Sequence, residues 1–179
     1  MNEEQIHNIL KKYGIENYEI VNGKVNVNGN VYIQGMGLKS IGIQFGSVSG
    51  DFDCYNNQLI NLEGVPKKVG GDFVCASNQL TNLEGAPKYV GKNFFCHHNK
   101  LTNLEGAPER VGGYFDCSYN QLTNLEGAPE RVGGDFYCYN NQLINLKGAP
   151  KYVGEDFDCS DNPGSPFERP AGIKGNFYN

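Results

Sequence analysis

Six cysteines, Cys54, Cys75, Cys96, Cys117, Cys138 and Cys159, recur at intervals of 21 residues. Almost everything around them keeps the same period. Phe52, Phe73, Phe94, Phe115, Phe136 and Phe157 stand two places before each Cys, and Asn57, Asn78, Asn99, Asn120, Asn141 and Asn162 three places after. Two leucine columns follow, Leu59 to Leu143 and Leu62 to Leu146, and a Gly-x-Pro-x-x-Val segment such as Gly106–Val111 closes each unit. A repeat of about 20–29 residues specifies a solenoid, because one unit cannot bury its apolar face without stacking on its neighbours.

The unit reads x-Phe-x-Cys-x-x-Asn-x-Leu-x-x-Leu-x-Gly-x-Pro-x-x-Val-Gly-Gly. It resembles the leucine-rich repeat, with Phe and Cys at the two strand positions usually held by Leu. The length and the Leu-x-x-Leu-x-x-x-Pro turn are most similar to the short bacterial subclass, and the wording resembles small leucine-rich-repeat proteins encoded by tailed phages and some bacteria. The resemblance spans residues 52–162 and thins toward both ends. It implies a mainly-β repeat solenoid with parallel strands on the concave face.

Three regions follow. Residues 51–162 hold the six full repeats. Residues 1–50 read as an N-terminal cap: Val31, Ile33, Leu38, Ile41 and Val48 lie one period before Phe52, Cys54, Leu59, Leu62 and Val69, forming a degenerate first repeat and a seventh strand. Upstream, Asn22-Gly23 and Asn28-Gly29 between alternating apolar residues signal a hairpin. Ile6, Ile9, Leu10 and Tyr13 keep helical spacing, with Asn2 and Gln5 as a capping box and Gly14 as terminator. Residues 163–179 lose the Leu pair and read as an irregular C-terminal cap without regular helix.

Alternation across each strand, for example Asp135 to Tyr139, puts Phe136 and Cys138 inward and Asp135, Tyr137 and Tyr139 outward. The Asn column is expected to satisfy backbone groups at the bend, one amide above another. Six cysteines invite a disulfide framework or a metal site. Stacked Cβ atoms pointing the same way sit farther apart than the ~3.8 Å a disulfide favours, and no Cys-x-x-Cys spacing is present. They read as small buried hydrophobes in a reducing, cytoplasmic setting. No cofactor is implied.

The chain has 179 residues and a formal net charge of -5. That balance opposes direct nucleic-acid binding, which needs clustered Lys and Arg. No apolar run reaches the ~20 residues of a membrane span, and the acidic start is unlike a secretion signal.

Four positions per repeat are expected to look out across the strand face: the residue before Phe, the one between Phe and Cys, and the two after Cys. These 24 positions hold all eight aspartates of the chain and no Lys or Arg. Glu63, Glu84, Glu105 and Glu126 instead form a separate column that Lys147 breaks. The aromatic residues gather in the central and later repeats. The candidate partner-binding residues are Tyr55, Val74, Phe95, His97, His98, Tyr114, Asp116, Tyr119, Asp135, Tyr137, Tyr139, Asp156 and Asp158. An aromatic centre with an acidic rim suits protein binding, while Asp columns alone also serve to keep an open face soluble.

The expected function is therefore non-enzymatic binding or blocking of another protein, with a basic surface as one kind of partner; homodimers through edge strands or faces are a further option. The phage-type resemblance implies an alternative, an inhibitor that occludes a host protein by imitating phosphates, and a scaffold without inhibitory role is a third. Catalysis would need His97, Ser118 and Asp116 to form a relay, but Asp116 and Ser118 are neighbours on one strand face and no oxyanion donor accompanies them. His97 and His98 with Asp116 make a poor metal set, since adjacent strand residues splay apart.

Overall fold

A computed structural model describes residues 1–179. Each coil contributes two short parallel strands on either side of a glycine corner. The first ladder runs Val31–Tyr32, Phe52–Asp53, Phe73–Val74, Phe94–Phe95, Phe115–Asp116, Phe136–Tyr137, Phe157–Asp158 and Phe177–Tyr178. Pairing is in register, so each repeat position meets itself, as in Phe115 with Phe136 and Asp116 with Tyr137. The strands are two residues long because the chain turns on both sides of Phe-x; the expected span from Asp135 to Tyr139 shortens to Phe136–Tyr137.

Inside, every repeat Phe and every Cys is fully buried. The rings form a continuous spine from Phe45 to Phe177, with neighbouring centroids 5.0–5.9 Å apart. Both leucine columns are buried down to Leu143, and Leu146 is half-buried. The asparagines carry the bend as expected. Asn120 donates through Nδ2 to the carbonyls of Cys96, Cys117 and Ser118, and its Oδ1 accepts from Leu101 N–H at 3.0 Å. One amide thus satisfies groups in two coils.

The second ladder, Phe45–Val48, Lys68–Val69, Tyr89–Val90, Arg110–Val111, Arg131–Val132 and Tyr152–Val153, was not foreseen. The Gly-x-Pro-x-x-Val segment is a return segment only as far as Pro; its last two residues pair with the same residues of adjacent coils. The Val of each pair is buried at 0–3% exposure and its predecessor faces out. Glycine at the corner beyond is a steric requirement: a Cβ on Gly133 would strike the carbonyl oxygen of Gly112.

The N-terminal cap is a helix and a hairpin. α1 (Glu3–Lys12) carries the capping box, with Gln5 N–H donating to Asn2 Oδ1 at 2.9 Å and Asn2 N–H to Gln5 Oε1 at 3.0 Å. Gly14, at φ +68°, ends it: Ile15 N–H donates to Leu10 O and Gly14 N–H to Lys11 O, a Schellman pattern. Ile6, Leu10 and Tyr13 are buried, and Tyr13 donates to Ile41 O of the first coil at 2.8 Å. β1 (Tyr18–Val21) and β2 (Lys24–Val27) pair antiparallel around Asn22-Gly23, both at positive φ. Asn28-Gly29 makes no hairpin. β2 pairs parallel to Phe45–Val48 in the next coil, so Asn28-Gly29 becomes the corner between the ladders.

The C-terminal tail also departs from expectation. Phe177–Tyr178 adds an eighth strand beside Phe157–Asp158, and Phe177 ends the ring spine. Ile173 bridges to Val153, and Arg169 donates to Ile173 O and Gly175 O, drawing the tail over the last coil. The protein has no helix long and apolar enough to cross a membrane.

Candidate functional site

The outward column of the Phe ladder brings Asp53, Val74, Phe95, Asp116, Tyr137 and Asp158 side by side, one per coil. After each Cys the chain leaves the strand through a left-handed residue. Asn56, Ser77, His98, Tyr119, Asn140 and Asp161 all sit at φ +51° to +54°. Asn and Asp accept this conformation readily; for other side chains a left-handed backbone costs about 1–2 kcal/mol. The first residue after Cys alternates large and small: Tyr55, Ala76, His97, Ser118, Tyr139, Ser160. Ala76 and Ser118, expected to face out, are buried at 0% and 1% exposure. Each lies between larger residues at the same position of the adjacent coils, Ala76 between Tyr55 and His97 and Ser118 between His97 and Tyr139.

Seven candidates form one strip. Phe95 meets His97 at a centroid distance of 6.3 Å, His97 meets His98 at 5.3 Å, and His98 stacks on Tyr119 at 4.3 Å with planes 13° apart. Tyr119 meets Tyr139 at 5.4 Å, Tyr139 meets Tyr137 at 6.2 Å, and Tyr137 meets Tyr114 at 6.4 Å. Val74 borders the strip through its pairing with Phe95. Tyr55, 42% exposed, is two coils from His97 and stands apart. Burial, then the bond and charge of Asp135, push the Tyr137 phenol up; it donates to Asp135 Oδ2 at 2.5 Å. Half-burial lowers His97 from its ordinary value, opposed by Asp116 and reinforced by His98.

The aspartates do more than line the rim. At the position before Phe, each side-chain oxygen accepts the amide N–H of the equivalent residue one coil on. The bonds run from Asn30 to Asp51, Asp51 to Asp72, Asp72 to Asn93 and Asn93 to Tyr114, then resume from Asp135 to Asp156 to Asn176. Tyr114 interrupts the ladder because a phenol on a rigid ring cannot reach the Asp135 N–H; its ring lies over Gly134, where any Cβ would collide with it. The Asn176 N–H bond holds the Asp156 carboxyl below its ordinary value. Between Phe and Cys, Asp116 and Asp158 each accept from a serine two residues on, through both N–H and hydroxyl. Asp53 accepts from Tyr55 N–H, and burial raises its carboxyl pKa despite that bond.

The Ser118 hydroxyl is thus committed to Asp116 at 2.6 Å, and the residue is sealed from solvent. In-register coils, parallel strands, an inward apolar column and an asparagine at each bend fix the architecture. The fold is a leucine-rich-repeat solenoid. No family model matches the sequence, and no curated protein matches it. Among solved structures it is similar to YopM from Yersinia enterocolitica WA-314, with a TM-score of 0.52 at 22% identity. That likeness covers 76% of this chain and 36% of YopM, so the chain spans about a third of that relative.

The structural use of the aspartates was hidden in the sequence, because a carboxylate that accepts a neighbour's amide and one that only faces water look the same there. The left-handed slot did leave a trace: Asn56, Asn140 and Asp161 recur at one repeat position, and His98 and Tyr119 are departures from it.

Proposed function

We propose that the chain is a non-enzymatic protein-binding module whose contact surface is the aromatic strip from Phe95 to Tyr114, flanked by Asp116, Asp135, Asp156 and Asp158. One observation carries this reading: aromatic residues occupy the slots where the coil itself is best served by Asn or Asp. Tyr114 breaks the amide ladder, and His98 and Tyr119 take a left-handed backbone. A side chain chosen for folding would restore the ladder and relieve the backbone. Strain retained at adjoining positions marks a surface kept for contact. Tyr supplies large area at low entropic cost.

The test is capture of a partner from the native host, with Phe95→Ala/Tyr137→Ala as the control. The double variant loses the partner while its thermal transition stays near that of the parent. Equal capture by both proteins would remove the strip from the contact.

The charge pattern supports a narrower reading. Eight aspartates and no Lys or Arg over 24 positions suit a partner with a basic, phosphate-seeking site, and the repeat wording resembles phage-encoded proteins. On this reading the chain is an inhibitor that occludes a host protein in the cytoplasm, where six unpaired thiols remain reduced. Affinity then falls steeply with added salt; salt-insensitive capture would leave the aromatic strip without phosphate imitation.

A further inference from the structure

Around the glycine corner from the strand face, the second ladder presents an outward column of Lys68, Tyr89, Arg110, Arg131 and Tyr152. Arg110 and Arg131 are paired in register in adjacent coils, both exposed. Like charges opposed across neighbouring strands repel. The ion pairs of the protein are Lys147–Glu126 and Lys151–Glu130, and neither arginine belongs to one. Glu130, adjoining Arg131 in sequence, is held by Lys151 at 2.6 Å. The arginine ladder is ordered by stacking instead, with the Arg131 guanidinium 3.8 Å from the Tyr152 ring centroid.

A cationic ladder with no ion pair of its own fits an anionic surface of the same spacing. The strand face of the same chain is such a surface. At the position before Phe its carboxylates come as two adjacent-coil pairs, Asp51 with Asp72 and Asp135 with Asp156, separated by Asn93 and Tyr114; each engages Oδ1 in the ladder bond to the next coil, and Oδ2 of Asp51, Asp135 and Asp156 accepts a tyrosine hydroxyl. Both faces are built on one repeat with the same rise of ~4.8 Å, so Arg110 and Arg131, one coil apart, match Asp135 and Asp156, also one coil apart. A second copy of this chain is commensurate by construction, which another acidic protein is not.

We propose that the arginine ladder of one copy docks on the acidic strand face of a second copy, head to tail. Five coils by six residues of strand and turn cover about 400–500 Å² per copy, below the ~800 Å² of a stable interface. The association is therefore weak and depends on concentration. The two patches differ, so each pair leaves one of each free and assembly propagates instead of closing. It also covers the aromatic strip, making self-association a competitor of partner binding, though it does not depend on that binding.

Sedimentation velocity over a concentration series tests this, in ~0.01 M salt, where charges act over ~30 Å, and in ~1 M salt, where the range is ~3 Å. Two variants are needed. Arg110→Glu/Arg131→Glu removes the cations. Asp51→Asn/Asp72→Asn/Asp135→Asn/Asp156→Asn removes four charges and keeps the amide acceptors, as Asn30 and Asn93 already do in the same column. The parent chain forms a growing series at low salt and a monomer at high salt. The arginine variant is monomeric in both, and the asparagine variant associates more than tenfold more weakly. An equimolar mixture, in which each variant keeps the patch the other lacks, stops at a heterodimer. A parent that stays monomeric at low salt, an arginine variant that associates like the parent, or a mixture that stays monomeric would overturn the proposal. So would a monomeric parent that binds polyglutamate through Arg110 and Arg131, which would assign the ladder to another acidic protein. Partner capture by the arginine variant reads the binding function separately.

Discussion

The rings of His98 and Tyr119 stack at 4.3 Å, and both residues hold a left-handed backbone, at φ +52° and +51°. Each backbone costs about 1–2 kcal/mol relative to a residue suited to it. The stack, and the edge contacts of His98 with His97 and of Tyr119 with Tyr139, return about 0.5–1.5 kcal/mol apiece. Replacing both by Asn relieves two strains and loses three ring contacts, so the terms nearly cancel. His98→Asn/Tyr119→Asn is therefore expected to keep stability within about 1 kcal/mol of the parent, which is about 2–4 °C in Tm for a chain of this size, and to weaken partner binding. Thermal melts and a binding assay on the same variant measure both. A variant that melts further below the parent than that would mean that the pair serves the fold.

The asparagine at each bend offers the opposite case, a residue with structural work and little exposure. Asn120 is 8% exposed and makes bonds to Cys96 O, Cys117 O, Ser118 O and Leu101 N–H. Asn120→Ala strands several buried backbone groups, each at about 1–3 kcal/mol. The expected loss is about 3–5 kcal/mol in a urea titration, far above the ~1 kcal/mol of an average substitution. A loss under 1 kcal/mol would show that water replaces the amide and that the ladder is dispensable.

How much of this was legible follows from how each feature writes itself in sequence. Phe, Cys, Leu and Asn columns are chemically committed to the interior or the bend, so a fixed period revealed them. The second ladder was not visible because Lys68–Val69 and its equivalents hold one buried residue each, too few for alternation to register. The eighth strand was missed because the period slips. Phe177 follows Phe157 by 20 residues, and the Cys position of that coil falls on Asn179. On the candidate site, the aromatic members were visible as departures from consensus. The continuity of the strip was not, since it arises from the coil stacking that brings His98 onto Tyr119 and Tyr137 toward Tyr114.

His97 gives the face a pH dependence with a definite sign. Half-burial holds its folded pKa below the ordinary value of 6.5. As pH falls through that ordinary value, the unfolded chain takes up the proton first. The unfolded state then binds more protons than the folded one, and stability declines until the lowered folded pKa is passed. Tm is expected to drop as pH falls through about 6.5, and His97→Gln to flatten that part of the profile. Parallel profiles for the two proteins would place the dependence elsewhere.

The C-terminal strand makes the last prediction, because it seals a thiol. Cys159 Sγ donates to Tyr178 O at 3.2 Å, and burial pushes its pKa up to about 12; the Cys75, Cys96, Cys117 and Cys138 thiols are held well above their ordinary value. A thiol must be accessible and ionised to attack a disulfide reagent. The intact chain is expected to resist labelling near pH 8, where an ordinary thiol of pKa ~8.5 reacts. Removing residues 165–179 takes away Tyr178 O and the Phe177 ring above Phe157. Cys159 alone then reacts quickly, and the other five wait for denaturant. One fast thiol places the seal at the last coil. Six would overturn this and mean that the tail holds the whole stack closed, its loss letting every coil fray from the uncapped end.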